Sequence, residues 1–471
     1  MFGFSARSIS NILFWVTRKK WLILAFLLSI SFFYFPSPEG LSPEGHRTLI
    51  IVGVALVLII SESIPLPAVA ILILVMEVIL GVDDADGVAS SFMSDAVFFI
   101  MGSLMLAVAL VNQGLDKRLA LTVINITGNK TWRIILGFVA ISALLSSFIG
   151  EHTVGAMMLP VVLALIRNAG LSTNKATKLS TLLLFSIAYG CAIGSIGTPS
   201  GGGRNVIMIG YISEFGMGTI SYLDWMKFAY PMLLIEIPIV ASILWYSFTP
   251  EQKIMDSSVR KLKVKVAKTG KLTANQKLAI VIFFFVFLGW IFLSPIVGLG
   301  IVALSGVFLY LSFGLIEWRE INRSTNWGVI LLFGSAISLG IQMKETGAAL
   351  WVAEQALNYL DIIFKDATIV RWFVSVIITG LLTNLLSSAG TVAVLGPIIL
   401  DMGGEPIIMG IMTSIASAFA YLTVVASPTC MIIHSTGLIK SSDYFKAGWK
   451  LFIISVLLLL IISTFYWPML L

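Results

Sequence analysis

The chain has 471 residues, of which 58% are hydrophobic and 11% are charged, and its formal net charge at pH 7 is +6. Soluble domains carry roughly 25% charged residues, so the composition excludes an ordinary soluble protein. Many windows of about 20 residues contain no charge, which is the length that a helix needs to cross a bilayer. The sequence therefore predicts an all-α polytopic membrane protein.

Charge placement and cysteine usage exclude further classes. The basic residues lie between apolar stretches rather than on one soluble face, so they indicate membrane topology and no nucleic-acid partner. Cys191 and Cys430 both fall in apolar segments, so no disulfide scaffold is expected. The N-terminal stretch is amphipathic and lacks a small-residue cleavage site, so a cleavable signal peptide is not expected.

Hydropathy and the charged or Pro/Gly breaks predict about eleven spans and two interrupted apolar stretches. The first half reads as spans over 21–35, 49–60, 66–80 and 96–111, an interrupted stretch over 132–166, a span over 179–192 with a short piece over 206–212, and a span over 228–245. The second half reads as spans over 278–293, 300–315 and 327–341, an interrupted stretch over 369–400, a span over 407–425 with a short piece over 431–435, and a span over 451–467.

The division of the chain follows from these spans. We expect an N-terminal amphipathic segment with the first span over 1–47, a first repeat over 48–248, a basic linker over 249–275 and a second repeat over 276–471. The first repeat contains a hairpin over 132–166 and a broken helix over 179–212, and the second contains a hairpin over 369–400 and a broken helix over 407–435.

Basic clusters predict the orientation. The linker is the most basic segment and the first twenty residues hold a second cluster, so both should be cytoplasmic. Six spans separate them, and an even number is what this requires. We expect a multi-pass protein of the cell membrane with its N-terminus cytoplasmic and its C-terminus outside.

The order of features repeats along the chain. FIMGSLML (99–106) precedes the first interrupted stretch and LFGSAISL (332–339) precedes the second. Each interrupted stretch has a polar tip, GEHT (150–153) or SSAGT (387–391), and each is followed by a span broken by a proline-containing loop. An odd number of spans separates the two copies, so the second is inverted in the membrane. Inverted repeats with matching interruptions indicate a secondary transporter.

The polar tips are the predicted binding site. We interpret the interrupted stretches as re-entrant hairpins whose tips meet near the midplane, where helix N-termini favour an anion. The expected hydroxyl contacts are Thr153, Ser387, Ser388 and Thr391, and Gly150 and Gly390 would permit close backbone approach. Arg204 would be the charge partner of a substrate carboxylate.

Structural alternatives stand beside these roles. The hydroxyls could bond to backbone or to a neighbouring helix, and Glu151 and His152 could be a structural pair at a turn. Arg204 could extend to an interface. His434 is better explained as a satisfied buried imidazole.

From about residue 45, the chain resembles the divalent anion/sodium symporter family of di- and tricarboxylate and sulfate transporters in order, spacing and inverted layout. The resemblance implies 11 spans, two re-entrant hairpins, a homodimer and an elevator motion. The family signature is a Ser-Asn-Thr at each tip and a Thr-Pro-Pro-Asn-like loop in each broken span, which together hold substrate carboxylates and two sodium ions.

This chain has different residues at the positions of this signature. Gly150–Glu151–His152, followed by Thr153, aligns with the first tip and Ser387–Ser388–Ala389 with the second. Gly202–Asn205 and Ser427–Cys430 replace the two loops. The residues of the tips and the positions that the resemblance implies together give twelve predicted substrate-binding positions: Gly150, Glu151, His152, Thr153, Arg204, Ser387, Ser388, Ala389, Gly390, Thr391, Pro428 and Thr429.

These differences in the signature residues affect the expected coupling of transport to sodium. Arg204 is always charged, and it stands with His152 where the first sodium site of the family would be, so protein charge would replace sodium there. We expect a sodium-independent exchanger of dicarboxylates such as succinate, malate or 2-oxoglutarate, and no enzyme, cofactor or metal centre. A sodium- or proton-coupled symporter of dicarboxylate or sulfate is the alternative. An anion channel is a weaker hypothesis, because symmetric broken helices fit alternating access better. An intramembrane protease is also weaker, since no HExxH or GxSxG spacing occurs.

Overall fold

The computed structural model describes residues 19–115, 118, 127–169, 176–256, 260, 271–364 and 366–470. Across these ranges the chain is helical and contains no β-strand, which confirms the predicted all-α class. The helices of the first half, α1 to α10, are Lys20–Tyr34, Pro43–Ser61, Leu66–Ile79, Ala85–Phe92, Asp95–Asn112, Thr131–Ile149, Glu151–Asn168, Lys178–Gly194, Gly203–Glu214 and Tyr222–Ser247.

The second half continues the helical pattern after the linker. Helices α11 to α21 are Ala274–Phe292, Ser294–Val297, Leu299–Ser312, Trp318–Ser324, Trp327–Glu345, Ala348–Phe364, Ala367–Leu382, Ser388–Asp401, Pro406–Ala416, Pro428–His434 and Ser441–Phe465. Helix α17 contains a π-helical segment over Phe373–Ile378. Residues 257–259 and 261–270 of the basic linker lie outside the described residues.

Seven of the described helices are long and apolar enough to cross a membrane. They are Pro43–Ser61, Asp95–Asn112, Thr131–Ile149, Tyr222–Ser247, Ala274–Phe292, Trp327–Glu345 and Ser441–Met469. One helix of the first predicted hairpin, α6, belongs to this set, because its 19 residues reach about 28 Å at the α-helical rise.

Small residues set the central packing. Helix α8 is buried along its length from Leu179 to Gly194 and packs on α6. A Cβ at Gly194 would lie 2.1 Å from the carbonyl oxygen of Ala143, and one at Gly190 would lie 2.8 Å from that of Val139. The glycines therefore let the two helices approach closely, as membrane helix interfaces commonly do.

The two halves interlock through their interrupted elements. Helix α9, the second piece of the first broken span, packs on α18, which follows the second polar tip. Helix α20, the second piece of the other broken span, packs on α7, which follows the first tip. This reciprocal packing brings both tips and both loops to one place.

The prediction of a span over 407–425 is wrong beyond residue 416, where α19 ends. Side chains of the neighbouring segment bind the backbone that follows. Thr383 Oγ1 donates to the carbonyl oxygen of Ser417 at 2.7 Å, and Asn384 Nδ2 donates to that of Phe419 at 3.0 Å. The N–H of Leu422 donates to Asn384 Oδ1 at 2.8 Å. These tertiary bonds replace the helical ones, and hydropathy does not register them.

Helices α4, α14 and α16 were not predicted from the sequence. Ala348–Phe364 is amphipathic: Ala349 and Ala353 are buried, and Glu354 and Asn358 are exposed. Its polar positions kept it below the hydropathy of a span. The short α4 and α14 were missed because they lie in polar connections.

Candidate functional site

A cavity of about 160 Å³ lies where the interrupted elements meet. Both polar tips and both loops of the broken spans line it, together with residues from three other helices. Of the predicted positions, eight line the cavity: Gly150, Glu151, His152, Arg204, Ser387, Ser388, Ala389 and Pro428. The other four predicted positions, Thr153, Gly390, Thr391 and Thr429, are outside its lining.

The first tip is a one-residue turn between α6 and α7. Gly150 has φ +81° and is the C-cap of α6 as well as the N-cap of α7, a backbone conformation that glycine adopts without steric cost. Its N–H donates to the carbonyl oxygen of Ser146 at 3.2 Å. Glu151 opens α7 and is buried, whereas the next side chain, His152, is exposed.

The second tip is the N-terminus of α18. Ser387 is the N-cap, and its Oγ accepts a hydrogen bond from the N–H of Gly390 at 3.2 Å. Thr391 is buried behind the tip and its Oγ1 donates to the carbonyl oxygen of Ser387 at 3.1 Å, so it follows the structural alternative for hydroxyls. Helices α7 and α18 thus both begin at the cavity wall, and helix N-termini favour anions.

Three glycines form the loop that carries Arg204. The loop includes a 3-10 turn over Pro199–Gly201, and α9 begins at Gly203. A Cβ at Gly203 would lie 2.1 Å from the ring of Phe333, and one at Gly202 would lie 3.2 Å from Arg204 Cζ. The glycines therefore allow α15 and the guanidinium to pack directly against the loop backbone.

Arg204 is the central cation of the site. Its side chain is 3% exposed, so it does not extend to an interface. Nη2 donates to Ser195 Oγ, and Nε is buried with no hydrogen-bond partner among the described residues. Glu151 acts on it electrostatically, but the two side chains form no ion pair within 4.0 Å. Arg204 thus has donor capacity left for an anion.

Two asparagines fix the site from behind. Asn205 Nδ2 donates to the carbonyl oxygens of Ser195 and Thr198, both at 2.8 Å, and its Oδ1 accepts from Ser414 Oγ at 3.0 Å. Asn384 makes the equivalent links in the second half, and its own carbonyl oxygen accepts from Thr423 Oγ1 at 2.8 Å. Each amide ties an irregular backbone segment to a neighbouring helix.

Thr429 joins the two halves rather than facing the cavity. Its Oγ1 donates to the carbonyl oxygen of Glu151 at 3.1 Å, and its side chain fills the space that a Cβ at Gly155 would take. Pro428, the residue before it, does line the cavity. The second loop therefore positions the first tip.

The sequence analysis missed part of the lining. Phe99 and Ser103 come from α5, Phe333 comes from α15, and Ser200 comes from the glycine loop. Ser103 Oγ is buried and, like Arg204 Nε, has no hydrogen-bond partner in the described chain. The signal was present in FIMGSLML and LFGSAISL, which marked the repeat without being assigned to the site.

The prediction that His434 is a satisfied buried imidazole is wrong at one nitrogen. Its ring packs on Tyr444 with centroids 5.9 Å apart. Its Nδ1 is buried and finds no hydrogen-bond partner within the described ranges, and the residue as a whole is half-buried. His434 is not among the residues that line the cavity.

Comparison with known proteins shows the relationship of the chain. The family model for the sodium:sulfate symporter transmembrane region matches residues 16–471. A sodium-dependent high-affinity dicarboxylate transporter 3 of Caenorhabditis elegans is 26% identical, over 79% of this chain and 74% of that protein. The sodium-dependent dicarboxylate transporter SdcS of Staphylococcus saprophyticus is 27% identical, over 95% and 91%. The crystal structure of the YdaH transporter of Alcanivorax borkumensis has a similar fold, with a TM-score of 0.54 at 12% identity over 82% and 91%.

Proposed function

The chain belongs to the sodium:sulfate symporter family of membrane transporters, and from this membership we propose that it carries dicarboxylates across the membrane by alternating access. One observation carries the proposal: Arg204 and Ser103 line a cavity shared by both tips, and Arg204 Nε and Ser103 Oγ are buried without a hydrogen-bond partner among the described residues. A planar guanidinium is suited to bind a carboxylate. The names of the relatives, which are dicarboxylate transporters, support the same substrate class.

The cavity offers a separate set of binding groups for each carboxylate of the substrate. One carboxylate binds Arg204 Nε, and the other accepts bonds from the N-terminus of α18 and from Ser388. We assign substrate contact to the eight predicted residues that line the cavity. Thr153, Gly390, Thr391 and Thr429 then act indirectly, by holding the helices that form its wall.

The fixed charge favours exchange without sodium. A sodium ion next to a buried guanidinium is unfavourable, and Asn205 Nδ2 already occupies the carbonyl oxygens of Ser195 and Thr198 on that side. A fixed cation compensates substrate charge but cannot dissociate, so the empty carrier would cross poorly. We therefore propose obligatory exchange of one dicarboxylate for another, with Arg204 assisted by His152.

Sodium-coupled symport is the second candidate, because the named relatives are sodium-dependent. It requires backbone carbonyls at the tips to hold sodium despite Arg204. Proton-coupled symport, with Glu151 as the titrating group, and sulfate as substrate are variants of this candidate.

Counterflow in proteoliposomes tests the proposal. Vesicles preloaded with unlabelled succinate should accelerate uptake of labelled succinate in the absence of sodium, and empty vesicles should take up little. A panel of dicarboxylates and sulfate as competitors defines the substrate. Strict dependence on sodium would overturn the exchanger and leave the symporter.

The larger architecture is proposed from the resemblance. We propose two inverted repeats over 48–248 and 276–471, re-entrant hairpins, a homodimer and an elevator motion. A cysteine introduced in the linker at Lys253 should react only from the cytoplasmic side, and one introduced at Met469 only from outside. The opposite pattern would overturn the proposed orientation.

A further inference from the structure

A second polar cluster lies outside the cavity, in the middle of α10 and α21. Glu236 is fully buried, and its Oε1 accepts a hydrogen bond from Ser455 Oγ at 2.5 Å. Its Oε2 is buried without a hydrogen-bond partner in the described chain. An ionisable residue inside a membrane domain is costly to keep and by default indicates function.

No described cation compensates this carboxyl group. Within the described ranges, Glu236 forms no ion pair within 4.0 Å. Lys450, on the same helix as Ser455, donates instead to Ser247 Oγ at 3.1 Å. Ser247 lies about 16 Å beyond Glu236 along α10 at about 1.5 Å per residue. An unpaired carboxylate in an apolar interior is strongly unfavourable, and a bound proton removes that charge.

Tyr421 connects Glu236 to the cavity. Its hydroxyl is buried without a hydrogen-bond partner in the described part of the chain, and it lies beside Ser455. It is within electrostatic range of Glu236 on one side and of Arg204 and Glu151 on the other. Tyr421 lies in the segment that leads to Pro428 on the cavity lining, and its carbonyl oxygen would lie 2.2 Å from a Cβ at Gly448 of α21, seven residues before Ser455. The segment that holds Tyr421 therefore packs between the cavity and the helix that carries Ser455.

The helices packed against α10 bring no other acid or base to this depth. Helices α6, α8, α11 and α21 and the 3-10 turn all contact α10. Helix α8 contributes Tyr189, whose hydroxyl donates to the carbonyl oxygen of Tyr421 at 2.9 Å, and Cys191. Apart from Glu236, the charged residues of α10 and of the helices packed against it lie within the first ten positions of each helix: Arg133, Lys178, Asp224, Lys227, Lys277, Asp443, Lys446 and Lys450.

We propose that Glu236 is a proton-binding site, linked to the dicarboxylate site through Ser455 and Tyr421. The inference rests on the proposed function for its substrate. A dicarboxylate beside Arg204 adds negative charge near Tyr421, and this favours the neutral, protonated form of Glu236. The protonated form in turn favours the dicarboxylate, because coupling between two binding sites is reciprocal. The bound proton is taken up from solution when the dicarboxylate binds and is returned to solution when it leaves, so the step is balanced without a change in either hydroxyl.

The affinity for succinate as a function of pH tests this linkage. We compare wild type, Glu236→Gln and the control Glu77→Gln in proteoliposomes, over the alkaline range in which both carboxyls of succinate stay ionised. Glu77 is a matched control because it is also fully buried and also accepts a serine hydrogen bond, from Ser338 at 2.8 Å. Wild type and Glu77→Gln should lose affinity by about tenfold as the pH rises, within the usual range of coupling. Glu236→Gln, a neutral mimic, should keep its affinity throughout.

Proton uptake measures the same linkage without transport. Succinate added to purified protein in weak buffer with a pH indicator should draw protons from solution in wild type and not in Glu236→Gln. Equal uptake by both proteins, or a wild-type pH profile in Glu236→Gln, overturns the proton site. Absence of succinate counterflow in wild type would instead overturn the proposed function.

Ser455→Ala keeps the inference testable if Glu236→Gln does not assemble. This variant retains the carboxyl and removes a hydrogen bond that stabilises its ionised form. The midpoint of the pH dependence should therefore move to higher pH, because the proton is held more tightly. An unchanged midpoint would contradict the assignment.

Discussion

The two polar tips share a geometry and differ in charge. At each tip a helix begins at the cavity, with Glu151 opening α7 and Ser388 opening α18. The first tip brings a buried carboxyl and stands beside Arg204, whereas the second offers hydroxyls and backbone N–H groups. The two halves thus present the same arrangement of a helix N-terminus at the cavity, with formal charges in the first half and without them in the second.

This difference indicates a division of work between the halves. Helix N-termini favour any small anion at either tip. Compensation of a full negative charge falls to the half that carries Arg204. Neutral contacts in the other half can then select the length and the second carboxylate of the substrate. Each of the following predictions compares a change in one half with a control in the other half or outside the site.

The largest effect should come from removing the charge of the first half. Arg204→Gln leaves a substrate carboxylate without its partner, which costs about 2–5 kcal/mol, or roughly 30- to 3,000-fold in affinity. Succinate counterflow should fall accordingly. Arg204→Lys should recover only part of it, because an ammonium lacks the planar fork.

Arg167→Gln is the control for lost positive charge. Arg167 is exposed near the end of α7, so its removal should leave counterflow within about twofold, since exposed charges contribute little. Equal losses in Arg204→Gln and Arg167→Gln would show that Arg204 acts through net charge and not by contact.

Substitution of each of the two asparagines should lower the stability of the protein to a similar extent but should affect transport unequally. Asn205→Ala and Asn384→Ala each leave buried carbonyl oxygens without a donor, at about 1–3 kcal/mol per group. Both should lower the thermal midpoint of the purified protein. Only Asn205→Ala, next to Arg204, should also weaken succinate affinity strongly in counterflow. If Asn384→Ala weakened succinate affinity as much as Asn205→Ala, compensation of the substrate charge would not be confined to the half that carries Arg204.

Gly203→Ala should impair transport through a clash with Phe333, and truncation of the Phe333 side chain should relieve that clash. The added Cβ would lie 2.1 Å from the Phe333 ring, and overpacking of this kind typically costs about 1–3 kcal/mol. Counterflow should drop in the single variant and recover in Gly203→Ala with Phe333→Ala. A double variant no better than the single one would show that the loop, and not its contact with α15, requires glycine.

How much of this structure the sequence predicts depends on whether the interactions that determine each part are local or join segments that are distant in the sequence. Most spans followed from hydropathy, because the bilayer imposes length and apolarity locally. Residues 417–425 did not follow, since Asn384 forms side-chain hydrogen bonds with the backbone of this segment in place of helical ones. The tips and Arg204 stood out as polar residues in apolar surroundings. Glu236 carries the same signal, in LLIEIPIV (233–240), although its lack of a compensating cation in the described chain is visible only in the fold. Phe333 carries no such signal, because a cavity wall is a property of several helices together.

The smallest effect should separate contact from capping within the second tip. Ser387 Oγ caps α18, so Ser387→Ala should lower stability by about 1 kcal/mol and shift the thermal midpoint. Ser388→Ala should leave the midpoint in place and raise the KM for succinate by roughly 2- to 10-fold, because one hydrogen bond is worth about 0.5–1.5 kcal/mol. Counterflow and thermal unfolding of both variants decide this. A KM change confined to Ser387→Ala would assign substrate contact to the cap, and the neutral half would then bind through its helix terminus alone.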